Sequence, residues 1–503
     1  MRASARSKLV VSLIAVTTIS CGCTPAPAPT RPNDSAPTIG KSSGTPLASA
    51  SIVAASASAP PAAPPAPSAP VRLPTLEWAR RWGSYGSDNA GRLVVADDGT
   101  WIMAGGYQFE IDFDGKKLTG TSALQGNMGT FIAGFGPDGK LRWATDFHGK
   151  ANENITDMAL GPDGTVIFAG AFREMNAGCG KIRSVEFDDI LVGALSTLGR
   201  CEWTRGFGSK GNDWGQAIAV DDAGNVTVFG TFQSGTNFGG GPMDAGESAG
   251  VFAASFTPGG KYRWARSLGN RSPIFAQDAT VDAAGNVYVT LRFEGTVDFG
   301  DGPKTSRGGG DVALLALSSD GRLSWSTSFG GPFLDVVNGL VVDPRSGDLL
   351  LVGSFARFID IGTNHLESAG GGEGFIARFD KMGKPLWAQR LGSSEHDSLG
   401  SVALDALGNI YAIGQFRGSF TFGESTLRSA GEYDALAVSM NPDGSPRWAV
   451  SFGGPGYEDA NGLAVEPSGR ILVAGTFASK ASFGTTNLES AGAHDIFVIA
   501  MRP

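Results

Sequence analysis

The sequence predicts an all-β fold, a seven-bladed β-propeller of four-stranded antiparallel blades. Three observations carry this: a Trp at near-constant intervals, four strand-like runs within each interval, and complementary part-blades at the two ends. Trp78, Trp143, Trp203, Trp264, Trp325, Trp387 and Trp448 each lie in a strand-like run. Their spacing of about 61 residues marks a repeat architecture rather than a string of unrelated domains.

The repeat from Trp387 to Arg447 shows the unit. Ser401–Asp405 and Asn409–Phe416 are its first two apolar runs, Asp434–Met440 is the third, and Pro446–Gly453 is the fourth, all bounded by Gly, Asp, Asn or Pro. The turns recur as well. DDAGN (Asp221–Asn225), DAAGN (Asp282–Asn286) and DALGN (Asp405–Asn409) place Gly where a tight hairpin calls for positive φ. PDG at Pro137–Gly139 and Pro442–Gly444 serves the hairpin between the third and fourth strands. No apolar pattern of helical period follows residue 75. Four antiparallel strands in each of seven repeats describe radial blades around a channel.

The ends complete the ring. The last repeat stops at its third strand (Asp495–Pro503), and Leu76–Gly83 is a fourth strand with nothing before it. Joined, they close the seventh blade with the N-terminal strand and leave no open sheet edge between blades. Each repeated Trp is read as core, packed on a neighbouring blade. Phe-rich excursions such as Thr231–Gly240 and Gly418–Gly423 lengthen the unit beyond the usual blade of about 40–50 residues.

Residues 1–20 have the makings of an export signal: Arg2, Arg6 and Lys8, then the apolar run Leu9–Ser20. The Cys21-Gly22-Cys23 that follows, leading into a Pro/Ala/Ser tract, resembles a bacterial lipoprotein signal. That resemblance implies lipidation of Cys21, with Cys23 as the alternative and plain secretion as the competing reading. Gly22 after the lipid site implies an outer-membrane lipoprotein, at the cell surface or on the periplasmic side. Residues 21–74 are too poor in large apolar side chains to fold and form an extended tether, and residues 75–503 form the propeller.

The first 70 residues contain Arg2, Arg6, Lys8, Arg31 and Lys41 but only Asp34 as an acid. The remainder is therefore more acidic than the chain's net charge of −9. Such a surface excludes nucleic acid as a partner and leaves the N-terminal lipid as the only membrane contact. A monomer is expected. Cys179 and Cys201 are the two cysteines of the folded region, and in an exported chain they pair as a disulfide.

WARSLGNRSPIFAQDATVDAAGNVYVT (Trp264–Thr290) and ESAGAHDIFVIAM (Glu489–Met501) resemble the bacterial SBBP-type β-propeller repeats. The likeness covers nearly all of residues 76–503. It implies an exported lipoprotein and specifies structure rather than activity.

Function is expected on the face where the loop into each first strand and the loop joining the second and third strands emerge together. The former places a carboxylate or amide in every repeat: Asp88, Asn154, Asp213, Asp278, Asp335, Asp397 and Asp459. Tyr85, Trp214, Phe275, His396 and Tyr457 break the repeat in these loops and suit stacking on a sugar or peptide. No catalytic residues, cofactor or metal site is expected. His148, His365, His396 and His494 lie in separate repeats without metal-ligand spacing or a nucleophile elbow. The leading expectation is a non-catalytic binding scaffold for a protein or glycan. The alternative is a hydrolase or lyase of extracellular polymers working at the channel mouth.

Overall fold

The computed structural model describes residues 73–120, 128–149, 153–176, 178–246, 249–269 and 273–503. The signal segment, Cys21 and all but the last two residues of the tether lie outside the described residues. No helix occurs among those described. Seven antiparallel blades are present, each running from an inner strand to an outer one.

In the sixth blade the strands are Ser398–Leu404, Ile410–Phe416, Asp434–Met440 and Pro446–Phe452. The inner strand begins three residues before the apolar run suggested. Ser398 and Leu399 pair with Gln415 and Gly414, and a bulge then carries the chain to Ser401. Gly400 interrupts the alternation that would have revealed this.

The middle strands carry the core. Val226–Phe232 and Gly250–Phe256 are buried along their whole length. Each of their faces packs on a neighbouring sheet, so these strands read as continuous apolar runs rather than alternating ones.

The seventh blade is closed as expected. Thr75–Trp82 pairs antiparallel with Asp495–Arg502, from Thr75 opposite Arg502 to Trp82 opposite Ile496. The inner strands touch in sequence around the ring, which shuts between Glu458–Val465 and Asn89–Val95.

Four of the repeated Trp bond a blade to the next, and only Trp264 and Trp448 are buried as core residues, the other five being half-buried at the outer edge. The indole N–H groups of Trp143, Trp203, Trp264 and Trp325 donate to Thr197, Pro258, Ser319 and Lys381 carbonyls at 3.0, 2.9, 3.0 and 3.2 Å. Those acceptors lie in the third-to-fourth turn of the following blade. Gly199 ends one such turn at φ 72°, and a Cβ there would stand 2.2 Å from the Trp143 ring. Glycine is therefore required twice over, for the conformation and for the ring.

The second repeat departs from the others. Its hairpin, Glu174–Asn176 with Lys181–Arg183, adds to the outer edge of the first blade through Met175 opposite Gly149. Cys179 in that hairpin is bonded to Cys201, which opens the second blade's outer strand. The disulfide staples two blades together. Replacing both cysteines with Ser should lower stability by about 3 kcal/mol, the chain-entropy value for a loop of this size. The urea midpoint of the variant against that of the oxidised protein measures it.

Candidate functional site

Each inner strand begins at the loop-rich face, bulges near its middle, and ends at a tight turn on the opposite face. The bulges fall at Ile155/Asp157, Gly215/Ala217, Ala276/Asp278, Val337/Gly339, Leu399/Ser401 and Ala460/Gly462, with a wider one at Ala90/Leu93. A bulge re-aims its side chain, and here several are turned onto the next blade. Thr156 Oγ donates to Gly215 O at 2.8 Å, Asn338 Nδ2 to Leu399 O at 2.8 Å, and Gln277 Oε1 accepts from Val337 N at 3.3 Å.

At the same depth the channel is crossed by one cation. Arg92 of the first blade holds Asp157 of the second through Nε at 3.0 Å and Asp278 of the fourth through a terminal nitrogen at 3.0 Å. Asp157 also accepts from Ile218 N at 2.9 Å, and Asp278 from Leu340 N at 2.7 Å. Burial pushes the Asp157 carboxyl up to about 6 despite the opposing pull of Arg92. Asp278 is raised for the same reason. The two carboxylates in turn hold the guanidinium firmly charged. From this polar layer a cavity of about 580 Å³ runs between Leu93, Met158, Leu340, Val402 and Leu463 towards Asp405 and Ala406 at the turn face.

The loop-rich face is asymmetric. His396, Tyr433, Tyr457 and His494 form an arc across the junctions of the fifth to seventh and first blades. Their rings meet edge to face at centroid separations of 6.4, 5.7 and 6.3 Å. Ser87 Oγ lies 3.3 Å from His494 Nδ1 and extends the arc onto the first blade's loop. On its channel side the Tyr457 hydroxyl donates to Asp459 at 3.4 Å, and Asn461 Nδ2 donates to the same oxygen at 3.1 Å. Burial, then the Asp459 charge, pushes the Tyr457 phenol far above its ordinary range. Burial also raises Asp459. The arc thus offers ring edges, a hydroxyl, an amide and a carboxylate within one patch.

The expected site residues fall into three groups. Asp88, Asp213, Asp335 and Asp397 are fully buried under their own loops, not displayed on the rim. They accept main-chain N–H groups from Ser84, Ser209, Gly331 and Ser393 at 2.7, 2.7, 2.6 and 2.5 Å. Glu458 holds the corresponding place in the seventh blade, accepting from Gly454 N at 2.9 Å, so Asp459 is free to face the arc. Buried Glu153 holds it in the second blade, ahead of Asn154. Asp278 is not a loop residue at all but part of the channel layer.

Among the aromatics, His396 and Tyr457 come together through Tyr433. Tyr85 is exposed and stacks on Phe109 at 4.8 Å. Phe275 carries the Arg292 guanidinium 4.7 Å from its ring centre, and half-buried Trp214 opens the third blade's inner strand. Tyr433 escaped the sequence reading, and His494 entered it only as one of four histidines without metal-ligand spacing. Their signal was the residue just before the Asp of S-A-G-x-x-D, which is Gly in the fourth and fifth repeats. No group of three or more His, Cys, Asp or Glu side chains is gathered as a metal site among the described residues.

No family model matches the chain. A stretch of 210 residues, 40% of the chain, is 27% identical to the regulatory protein FlaEY of Caulobacter vibrioides and covers 21% of it. Another of 110 residues, 20% of the chain, is 26% identical to the uncharacterized WD repeat-containing protein L264 of Acanthamoeba polyphaga mimivirus and covers 8% of it. The chain therefore spans about a fifth or less of the curated relatives it matches. Among solved structures it is similar to the polysaccharide lyase Uly1, with TM-score 0.44 and 10% identity over 83% of this chain and 90% of that one. It is also similar to a protein of unknown function from Dyadobacter fermentans, with TM-score 0.39 and 11% identity over 84% and 99% of the two chains.

Proposed function

We propose that the chain is an exported, lipid-anchored SBBP-type propeller acting as a non-catalytic binding scaffold, and that the arc of His396, Tyr433, Tyr457 and His494 receives a protein or glycan. The observation that carries the reading is asymmetry. Seven similar repeats supply similar loops, yet among the described residues rings accumulate at consecutive junctions only here, beside Asp459 and Asn461. Aromatic faces with a carboxylate and an amide beside them suit a sugar or a peptide, since each combines apolar faces with hydrogen-bonding edges.

Glycan and peptide arrays probed with the full chain test this. A specific ligand should be retained by the parent and lost, by tenfold or more, on Tyr457→Ala or Tyr433→Ala while each variant keeps a single cooperative thermal transition. Turnover of the captured ligand, abolished by the same changes, would instead establish the hydrolase or lyase alternative.

A further inference from the structure

Pairs of buried acids recur at the blade junctions. The residue opening the third strand of one blade lies beside the loop acid leading into the next: Asp189 with Asp213, Asp311 with Asp335, Glu373 with Asp397, Asp434 with Glu458, and Asp495 with Asp88. All ten side chains are buried. The geometry is the same each time. The loop acid's N–H donates to the carbonyl preceding the strand acid, at 2.7 Å from Asp213, 3.0 Å from Asp335, 2.9 Å from Asp397, 2.9 Å from Glu458 and 2.9 Å from Asp88. Each carboxyl also accepts the main-chain N–H four residues upstream, as Asp434 does from Ala430 and Asp495 from Ala491 at 3.0 Å.

Among the described residues one oxygen in each pair nonetheless finds no hydrogen-bond donor: Asp189 Oδ1, Asp335 Oδ1, Glu373 Oε2, Glu458 Oε1 and Asp495 Oδ1. A buried acceptor left unmet beside a second carboxylate is costly on both counts. A divalent cation does not answer it, because calcium takes about six to eight oxygens and the other oxygens here already accept N–H groups.

Two pairs have an arginine. Arg81 is bonded to Asp495, and Arg390 lies 2.9 Å from Glu373, with His396 next to Asp397. Asp213 takes donors from Ser209, Gln233 and Thr236 and is satisfied as a carboxylate, while Asp189 has Asp188 beside it and Arg173 paired to Asp188. The last two pairs lack such help. Arg307 gives Asp311 its main-chain N–H and favours its ionised form, but its guanidinium is bonded to Asp360 at 2.5 Å. Among the described residues no cation bonds Asp434 or Glu458, which are flanked by Tyr433, Tyr457 and Asp459.

We propose that Asp311–Asp335 and Asp434–Glu458 each keep one proton at neutral pH, on one of the two carboxyl groups, in the role that arginine fills at two of the other junctions. The proton removes one of two buried charges and with it most of the desolvation cost of the pair. Burial first, and the neighbouring carboxylate after it, push Asp335 up to about 8 and Glu458 up to about 7. Groups raised in this way stabilise the fold in acid and lose that contribution as pH rises through the folded value. The affected window runs from about pH 4 to about pH 8. Each held proton changes the folding equilibrium by up to roughly tenfold per pH unit within it.

The test is urea unfolding of the full chain between pH 5 and pH 9, with Asp335→Asn, Glu458→Gln and the arginine-served Asp397→Asn. The parent should lose stability with rising pH. Asp335→Asn and Glu458→Gln should each remove part of that slope and equal or exceed the parent at pH 9, while Asp397→Asn, whose carboxyl burial also raises, should remove a smaller part of it and stay below the parent at pH 9. Infrared absorption of a protonated carboxylic acid in the folded parent at pH 7, shifted in deuterium oxide, is the second measurement and needs no variant to fold. Absence of that band, or a slope unchanged in both Asp335→Asn and Glu458→Gln, would overturn the proposal.

Discussion

Deleting Thr75–Trp82 is expected to abolish cooperative folding of the propeller. The strand supplies the whole outer edge of the seventh blade, so without it Asp495–Arg502 presents an unpaired edge. It also carries Trp82, which is 2% exposed and packs on Trp101, Phe113 and Phe135 at 6.2, 5.9 and 4.9 Å between centroids. Loss of a buried Trp alone costs about 3–5 kcal/mol, a large share of the roughly 5–15 kcal/mol that holds a typical domain. Arg81, bonded to Asp495, leaves with the strand and strands a buried carboxylate. The truncated chain should elute as soluble aggregate and show no sharp thermal transition. A synthetic peptide spanning residues 73–83, added in excess, should restore a monomer with a sharp transition. A truncated chain that melts sharply without the peptide would show that closure is dispensable.

The architecture was legible because its signals are local and repeated. A Trp that must reach a neighbour's turn, a Gly that must adopt positive φ, and an Asp that caps that turn recur in most blades. The acid pattern was legible only in part. Counting forward from the Gly of each loop finds Asp88, Asp213, Asp335 and Asp397, whose amide partners lie four residues upstream. In the seventh repeat the same amide is met by Glu458, because a longer side chain spans the same gap, and matching on Asp shifted the reading to Asp459. In the fourth repeat Ile274, the first residue of the inner strand, stands where the loop acid would, and matching on Asp ran on to Asp278 inside the strand. Arg92 could not be found this way. Nothing in one strand shows that its partners lie in the second and fourth blades, since that depends on the diameter of a closed ring. The arc was half visible for the same reason: His396 and Tyr457 stand out singly, while their union through Tyr433 is a property of adjacent blades.

Arg92→Met is expected to be among the most damaging single substitutions in the molecule. It leaves Asp157 and Asp278 buried, each bonded to a main-chain N–H of another blade but without their counter-charge. Removing one partner of a buried ion pair costs about 3–5 kcal/mol, because the remaining charge is unpaid by any solvent. The loss should depend on pH with a definite sign. Asp157 already stands at about 6 with Arg92 present, and without the arginine both carboxyls must rise further. Groups raised in the folded state stabilise it in acid, so the variant should approach the parent near pH 5 and fall furthest behind it near pH 8. Adding Asp157→Asn and Asp278→Asn to Arg92→Met removes the charges while an amide oxygen can still accept from Ile218 and Leu340. That triple variant should recover most of the lost stability at pH 8, and its pH profile should be flatter than that of Arg92→Met. Chemical unfolding midpoints at the two pH values decide the matter. If Arg92→Met is equally destabilised at both, the arginine acts by filling the channel, through the packing of its aliphatic stem, rather than by neutralising the two acids.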